Sequence, residues 1–308
     1  MTPILVYARD PGAANQMVAA CEILTRDPAD PRMAPLRRSF GAGPDWAPAP
    51  RIHARGPALD TFARAGFAVT EGAPADAALA QAAAVLTGLD DVDDPVPRAL
   101  WRAARAARKP CAAICDNDVN LAVRLGDAQG CPDLVFAVSE RGRREIESCR
   151  LPGLRVELVP DLHLARLARA APDPEARARQ RRRWGVSAEA RVWLYAGVVR
   201  RELAALRAVE AEDEVDCLRA LALALSVTEP ASALAVRPHP RDPDGKYESA
   251  CEAIGTRAVV DRSGTPAEAF AASDVVVSLS EAVRNEARLL GRPAYAPEAA
   301  LALLSGPR

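Results

Sequence analysis

The residues best suited to chemistry in this 308-residue chain fall into short polar clusters, each at the end of an apolar run. Arg237-Pro238-His239-Pro240-Arg241 closes the run 234–236, and its prolines remove backbone donors and impose an extended turn. An imidazole near neutral pH can donate to a phosphate oxygen or pass a proton. The flanking Arg237 and Arg241 favour the phosphate role through charge-assisted bonds. The other two of the three histidines, His53 in a proline-rich stretch and His163 in a charged segment, read as structural or surface residues. Ser278-Leu279-Ser280 leaves the run 274–277 and enters a helix expected over 281–290, stopped by Gly291 and Pro293. Its hydroxyls and the N–H groups of the following turn, at the positive end of the helix dipole, offer a seat for phosphate.

The acidic clusters are less specific. Asp116-Asn117-Asp118-Val119-Asn120 ends the run 111–115. Its carboxylates and amides can take a proton from a hydroxyl or hold a divalent ion, and a helix cap needs only one of them. Asp116 and Asn120 are therefore candidate substrate residues. The run from Asp90 to Asp94 also follows an apolar stretch, with Thr87-Gly88 placed to line a ligand site. Its charge density reads as a solvated turn before Pro95. Residues 9–15 read as the exit loop of the first strand, where a nucleotide-binding sheet puts its ligand loop. With Gly12 as its single glycine, the loop is not a G-x-G-x-x-G fingerprint. Small residues at 12–14 still let a substrate approach the backbone. Asp10 and Asn15 keep two readings: a turn starter and a helix cap, or groups that act on substrate.

These clusters need a frame that gathers strand ends at one edge. Strands are expected at 4–7, 51–53, 67–69, 84–87, 111–115, 133–138 and 156–159, with helices at 57–65, 75–83 and 97–108. A further helix follows the first strand, with Met17, Val18, Cys21 and Leu24 at helical spacing. The second half repeats the rhythm, with strands at 191–195, 234–236, 258–260 and 274–277 and helices at 218–225, 247–254, 266–271 and 281–290. The expected fold is α/β, two Rossmann-like domains spanning 1–164 and 165–308 and facing a central cleft. The arginine-rich segment 162–186 reads as a solvated helix and linker.

Composition excludes several classes. Lysine plus arginine, at 40, nearly cancels aspartate plus glutamate, at 41, and aromatic residues make up 4%. Neither a basic field nor a set of stacking platforms points to nucleic acid. Seven cysteines are an odd number, widely spread, and read as reduced structural thiols. Cys111 and Cys115 lack the second pair that would complete a zinc site, so no metal is expected. The first residues carry no basic n-region, and no apolar run reaches the ~20 residues that span a bilayer. A cytoplasmic protein without a transmembrane segment is the expectation.

The stretch 236–293 resembles the C-terminal half of GT-B glycosyltransferases and of their relatives, the nucleotide-sugar 2-epimerases and the glycerophosphate transferases of teichoic-acid type. The resemblance rests on His239-Pro240, Ser278 and Ser280, Glu286-Ala287 and the Gly291-Arg292-Pro293 stop. Three departures accompany it. The segment 159–163 lacks the glycine of the usual domain-crossing turn, the loop after Tyr195 has only Gly197, and few residues follow Pro293. The resemblance implies a nucleotide-diphosphate donor on the C-terminal domain, with Glu286 on the ribose. It puts the acceptor on the N-terminal domain, with Asp10 as general base and Asn15 as its orienting group. The activity implied is transfer of a glycosyl or polyol-phosphate group from a nucleotide-activated donor, with no further cofactor. Asp10 or Asp116 would deprotonate the acceptor, while His239, Arg237, Arg241 and the Ser278–Ser280 loop stabilise the departing diphosphate. The alternatives are a 2-epimerase or hydrolase acting on the donor alone, and a non-catalytic or repurposed relative.

Overall fold

The computed structural model describes residues 1–43, 45–90, 93–118, 120–128, 130–169, 173–199, 213–254 and 258–306. The chain divides into two compact units, Met1–Arg166 and Leu167–Arg308.

The first unit runs β1 (Thr2–Ala8), α1 (Pro11–Arg26), α2 (Ala34–Ser39), β2 (Pro48–Ala54), α3 (Pro57–Arg64), β3 (Val69–Glu71) and α4 (Asp76–Gln81). It continues with β4 (Ala84–Gly88), α5 (Val96–Ala106), β5 (Cys111–Ile114), α6 (Leu121–Leu125), β6 (Leu134–Ala137), α7 (Glu140–Ser148), β7 (Arg155–Leu158) and α8 (Leu162–Arg169), whose last three residues belong to the second unit. The strands form one parallel sheet in the order β3-β2-β1-β4-β5-β6-β7. Strands buried on both faces must be apolar at every position, which is why the central ones read as continuous runs. In β1, Ile4 and Val6 pack with Met17, Leu24 and Phe62 on one face, while Leu5 and Tyr7 pack with Leu100, Trp101 and Leu125 on the other. The order reverses between β1 and β4, the position where open α/β sheets form a crevice at their carboxyl ends. Gly88 ends β4 there. A Cβ at this position would stand 2.5 Å from Ala13 Cβ, so the glycine admits α1 over the strand end.

The second unit runs α9 (Pro174–Arg183), β8 (Val192–Ala196), α10 (Glu214–Thr228), β9 (Ala233–Arg237), α11 (Lys246–Ile254) and β10 (Ala258–Val260). It closes with α12 (Pro266–Ala272), β11 (Val275–Val277), α13 (Glu281–Leu289), β12 (Ala294–Tyr295) and α14 (Pro297–Ser305). Its parallel sheet has the order β10-β9-β8-β11-β12, with the reversal between β8 and β11. Trp193 and Tyr195 share a core with Leu218, Leu225 and Ala300, and Val192 and Leu194 share the other with Trp184 and Phe270. The residues after Pro293 thus supply β12 and a helix, α14, whose Ala300 and Leu304 pack against α10 in the same unit.

Two expectations change, for residues 11–15 and for the arginine-rich segment. Residues 11–15 are not loop, because α1 starts at Pro11. Proline suits the first helical position, where its missing N–H has no partner to lose and its φ is already helical. The stretch 28–50 contains a 3-10 turn, Pro31–Met33, and α2; the Asp30 carboxylate accepts from Arg32 N and starts the turn. The arginine-rich segment is not uniformly solvated either, since Arg181 is buried and bonded within the second unit.

Candidate functional site

In the first unit, Arg9-Asp10 follow β1, Asp90 follows β4 and Asp116 follows β5, so parallel strands deliver all of them to one edge. Asp90 is 3% exposed, and its Oδ1 accepts from Arg9 N at 3.0 Å and Asp10 N at 2.8 Å. The loop after β4 therefore grips the turn between β1 and α1. Asp90 Oδ2 is buried without a hydrogen-bond partner. Burial, helped by the Asp10 carboxylate, pushes Asp90 up to about 8 against the pull of the two N–H groups. Asp90 thus departs from the solvated-turn reading of this run, whose Asp93 is exposed; positions 91 and 92 lie outside the described residues. Asp94 is buried as well, accepting from Tyr7 Oη at 2.8 Å and capping the start of α5 through Val96 N at 3.0 Å.

Arg124, on α6, joins this loop to the next. It is 7% exposed and donates to Asp90 O at 3.2 Å, to Leu89 O, and to Asn117 Oδ1 at 3.0 Å. It also pairs with Asp116 Oδ1 at 2.5 Å. Asp116 Oδ2 accepts from Asn117 Nδ2 at 2.9 Å and lies over the first turn of α1. A Cβ on Gly12 would overlap that carboxylate and stand 3.1 Å from its Cγ. The space at Gly12 is therefore filled by Asp116 and is not open to a substrate, and the positive end of α1 favours the charge placed there.

Asp10 occupies the N-cap position of α1 but makes no side-chain cap bond. Its oxygens receive Arg9 Nε at 3.2 Å and Nη2 at 3.3 Å, and Arg9 also reaches Asp93 at 2.5 Å. Asn15 sits half-buried within α1, so it does not cap that helix. Asn120 adopts a left-handed conformation (φ 55°), which asparagine tolerates, and precedes α6 without a side-chain cap bond. Asp10, Gly12 and Asp116 thus come together with Asp90 and Arg124, and Asn120 starts the helix that delivers Arg124. Sequence reasoning missed Arg124; its signal, a lone arginine among Leu121, Val123 and Leu125, says nothing about which loops it will join.

In the second unit the turn after β9 is held by a buried ion network. Asp242 Oδ2 accepts from His239 N at 2.7 Å, and Asp242 N donates to His239 O at 2.9 Å. Asp242 Oδ1 pairs with Lys246 Nζ at 2.7 Å, and Lys246 reaches Glu214 Oε1 at 2.5 Å, all three side chains being buried. His239 Nδ1 accepts from Arg241 N at 3.1 Å, which leaves the proton of the neutral ring on Nε2. Arg237 is drawn to backbone, donating to Ser263 O at 2.7 Å and Gly264 O at 2.8 Å. The Asp242/Lys246 pair has a sequence signal, an i,i+4 acid and base at the start of a helix. Glu214 had none.

Ser278 is fully buried. Its Oγ donates to Ala196 O at 2.8 Å and accepts from Ser280 N at 3.1 Å, tying β11 to β8 across the reversal of strand order. Ser280 caps α13, accepting from Val283 N at 3.4 Å. Both hydroxyls serve the fold, and a ligand at this loop would meet the backbone N–H groups at the start of α13. Glu286 lies half-buried on α13. Gly197 follows β8 at a point where a Cβ would overlap the Tyr247 phenol, so that position requires glycine.

All seven cysteines are free, and burial pushes Cys111 and Cys115 up to about 12. Among the described residues, no group of three His, Cys, Asp or Glu side chains is arranged to hold a metal ion. No described helix is long and apolar enough to cross a membrane.

No protein-family model and no curated protein sequence matches the chain. Solved structures do. The chain is similar to the UDP-GlcNAc 2-epimerase of Neisseria meningitidis bound to UDP-GlcNAc, with a TM-score of 0.60, 14% identity, and coverage of 96% of this chain and 82% of that one. It is similar to Anabaena HepE in complex with UDP and glucose, with a TM-score of 0.60, 15% identity, and coverage of 96% and 80%. A glycosyltransferase from Rickettsia africae matches with a TM-score of 0.53, 11% identity, and coverage of 96% and 79%. The fold is of the GT-B type. Both sheets, each with its reversal of strand order, are the Rossmann-like layers of that fold.

Proposed function

We propose that this protein acts on a nucleotide-activated donor and transfers its glycosyl or polyol-phosphate group to an acceptor hydroxyl. The observation that carries the reading is the pinned turn at His239, where the accepted bond at Nδ1 commits Nε2–H to donation. Such a donor, held by a buried ion network, needs little reorganisation when charge develops on a departing diphosphate. Arg237 and Arg241 add positive charge on the same turn, the N–H groups before α13 take phosphate oxygens, and Glu286 takes the ribose. In the first unit Asp10 accepts the proton of the acceptor hydroxyl, and Asp116 with Asn15 and Asn120 orients the acceptor. The fold neighbours bound to UDP, UDP-glucose and UDP-GlcNAc support a nucleotide diphosphate as the ligand class.

Epimerisation or hydrolysis of the donor alone is the second reading. The 2-epimerase among the fold neighbours, bound to UDP-GlcNAc, supports it.

Thermal denaturation against UDP, CDP, GDP, ADP, dTDP and CMP tests the ligand class, because a ligand that binds only the native state raises the melting temperature. One nucleotide should stabilise the wild type and lose its effect in His239→Ala. Incubating the corresponding sugar nucleotide with and without acceptor then separates transfer from epimerisation and hydrolysis. If none of the six nucleotides stabilises the wild type, the reading is wrong.

A further inference from the structure

Two helices of the first unit start at the carboxyl edge of its sheet, where the proposed reaction seats its acceptor, and one loop closes both starts with its own carboxylates. The 16-residue α1 follows β1, and the 9-residue α7 follows β6. A helix start of this kind, with its N–H groups and the positive end of the dipole, attracts anions when left open. Asp116 closes α1, standing where a Cβ on Gly12 would lie. Asp118 closes α7 in the same way: a Cβ on Gly142 would overlap its Oδ1 and stand 3.1 Å from its Cγ. Glycine at 12 and at 142 is what leaves room for the two carboxylates.

Both carboxylates are fixed from behind. Asp116 is paired with Arg124 and accepts from Asn117 Nδ2. Asp118 Oδ2 accepts from Ser139 Oγ, which in turn caps α7 by accepting from Gly142 N at 2.9 Å. Asp118 Oδ1 is buried without a hydrogen-bond partner over the first turn of α7, whose positive end offsets its charge. The guanidiniums of these loops are committed as well. Arg124 donates to Asp116, Asn117 and the carbonyls of Leu89 and Asp90, and Arg9 to Asp10 and Asp93. At α7, Arg143 and Arg144 pair with Glu140, and Arg141 is exposed. Arg55, after β2, is exposed too, and β1 and β4 stand between it and the loop after β5.

We infer that Asp116 and Asp118 are specificity determinants that bar anionic acceptors, so that the acceptor carries no phosphate or carboxylate beside its reacting hydroxyl. This rests on the reading of the first unit as the acceptor side. A phosphate brought to either helix start meets a fixed carboxylate in place of N–H groups, and juxtaposed like charges are how a site rejects a wrong partner. A growing polyol-phosphate chain puts a phosphodiester next to its terminal hydroxyl and is excluded. A neutral or amine-bearing sugar or polyol is admitted.

Inorganic phosphate is the probe, and the amide resonances of Gly12 and Gly142 are the reporters, since they read the first unit alone. The whole chain is titrated at constant ionic strength as wild type, Asp116→Ala and Asp118→Ala. In wild type neither glycine should shift saturably up to ~20 mM phosphate. Asp116→Ala uncovers the start of α1 and frees Arg124, so Gly12 should shift saturably with a Kd on the order of 10 mM while Gly142 stays still. Asp118→Ala should respond at Gly142 alone and more weakly, because it frees no guanidinium. It also carries the test if Asp116→Ala, which strips Arg124 of its carboxylate, does not fold. The inference is overturned if either glycine of the wild type responds saturably, or if the folded variants respond no more than wild type. If no nucleotide stabilises the protein, the transfer reading falls while the behaviour of the two glycines stands.

Discussion

Asp90→Asn removes a single titrating group while keeping the oxygen that holds the β1–α1 turn. The wild-type carboxyl is pushed from 3.8 up to about 8 in the folded protein, so the native state keeps a proton that the unfolded chain releases. The stability contributed by protonated Asp90 is complete below pH ~4 and is lost progressively as pH rises to ~8, since the native state binds more protons throughout that window. One proton corresponds to about 1.4 kcal/mol per pH unit. Between pH 5 and pH 7 wild type should therefore lose ~2.7 kcal/mol relative to Asp90→Asn, whose amide presents the same acceptor to Arg9 N and Asp10 N at every pH. Hydrogen exchange of the β1 and β4 amides, corrected for intrinsic rates, reports the opening of the first unit without contributions from the second. If the two proteins show parallel pH dependence over this range, to within ~0.5 kcal/mol, Asp90 is ionised in the native state and its second oxygen must have found a partner.

Gly12→Ala drives a methyl group into the Asp116 carboxylate and should cost ~1–3 kcal/mol in urea unfolding. Most of that loss should vanish when Asp116→Ala is the background, and additive losses would reject the contact. Lys246→Met leaves Glu214 and Asp242 as buried charges without their cation and should destabilise the second unit by ~3–5 kcal/mol in the same assay. A change near zero would mean that the network does not hold the His239 turn. Ser278→Ala should cost ~1 kcal/mol of stability with nucleotide affinity nearly unchanged, because its hydroxyl is turned to Ala196 O. A tenfold weaker Kd at unaltered stability would show instead that the hydroxyl meets the ligand.

The positions of the strand ends could be read from sequence because a doubly covered parallel sheet demands apolar runs, and the polar residues after Tyr7, Ile114, Val236 and Val277 mark where each run stops. The direction of each side chain could not. Asp90 and Asp94 belong to a run whose charge density looks solvated, yet both are buried, since Asp90 finds Arg9 N and Asp10 N only after the strand order has put β4 beside β1. Arg124 and Lys246 have the same history: besides near partners at Asp116 and Asp242, each holds a distant one, Asp90 at 34 residues and Glu214 at 32, and no local pattern records the distant pair. Strand order also shows what the two units share. At each reversal, a side-chain oxygen from the later strand's loop is bonded to backbone at the end of the earlier strand, Asp90 against residues 9 and 10 and Ser278 against Ala196. The first tie titrates and the second does not. A rise in pH through about 8 puts a charge on the acid that holds Asp10 in place and leaves the β8–β11 tie untouched. Any alkaline loss of activity that Asp90→Asn abolishes therefore belongs to the first unit.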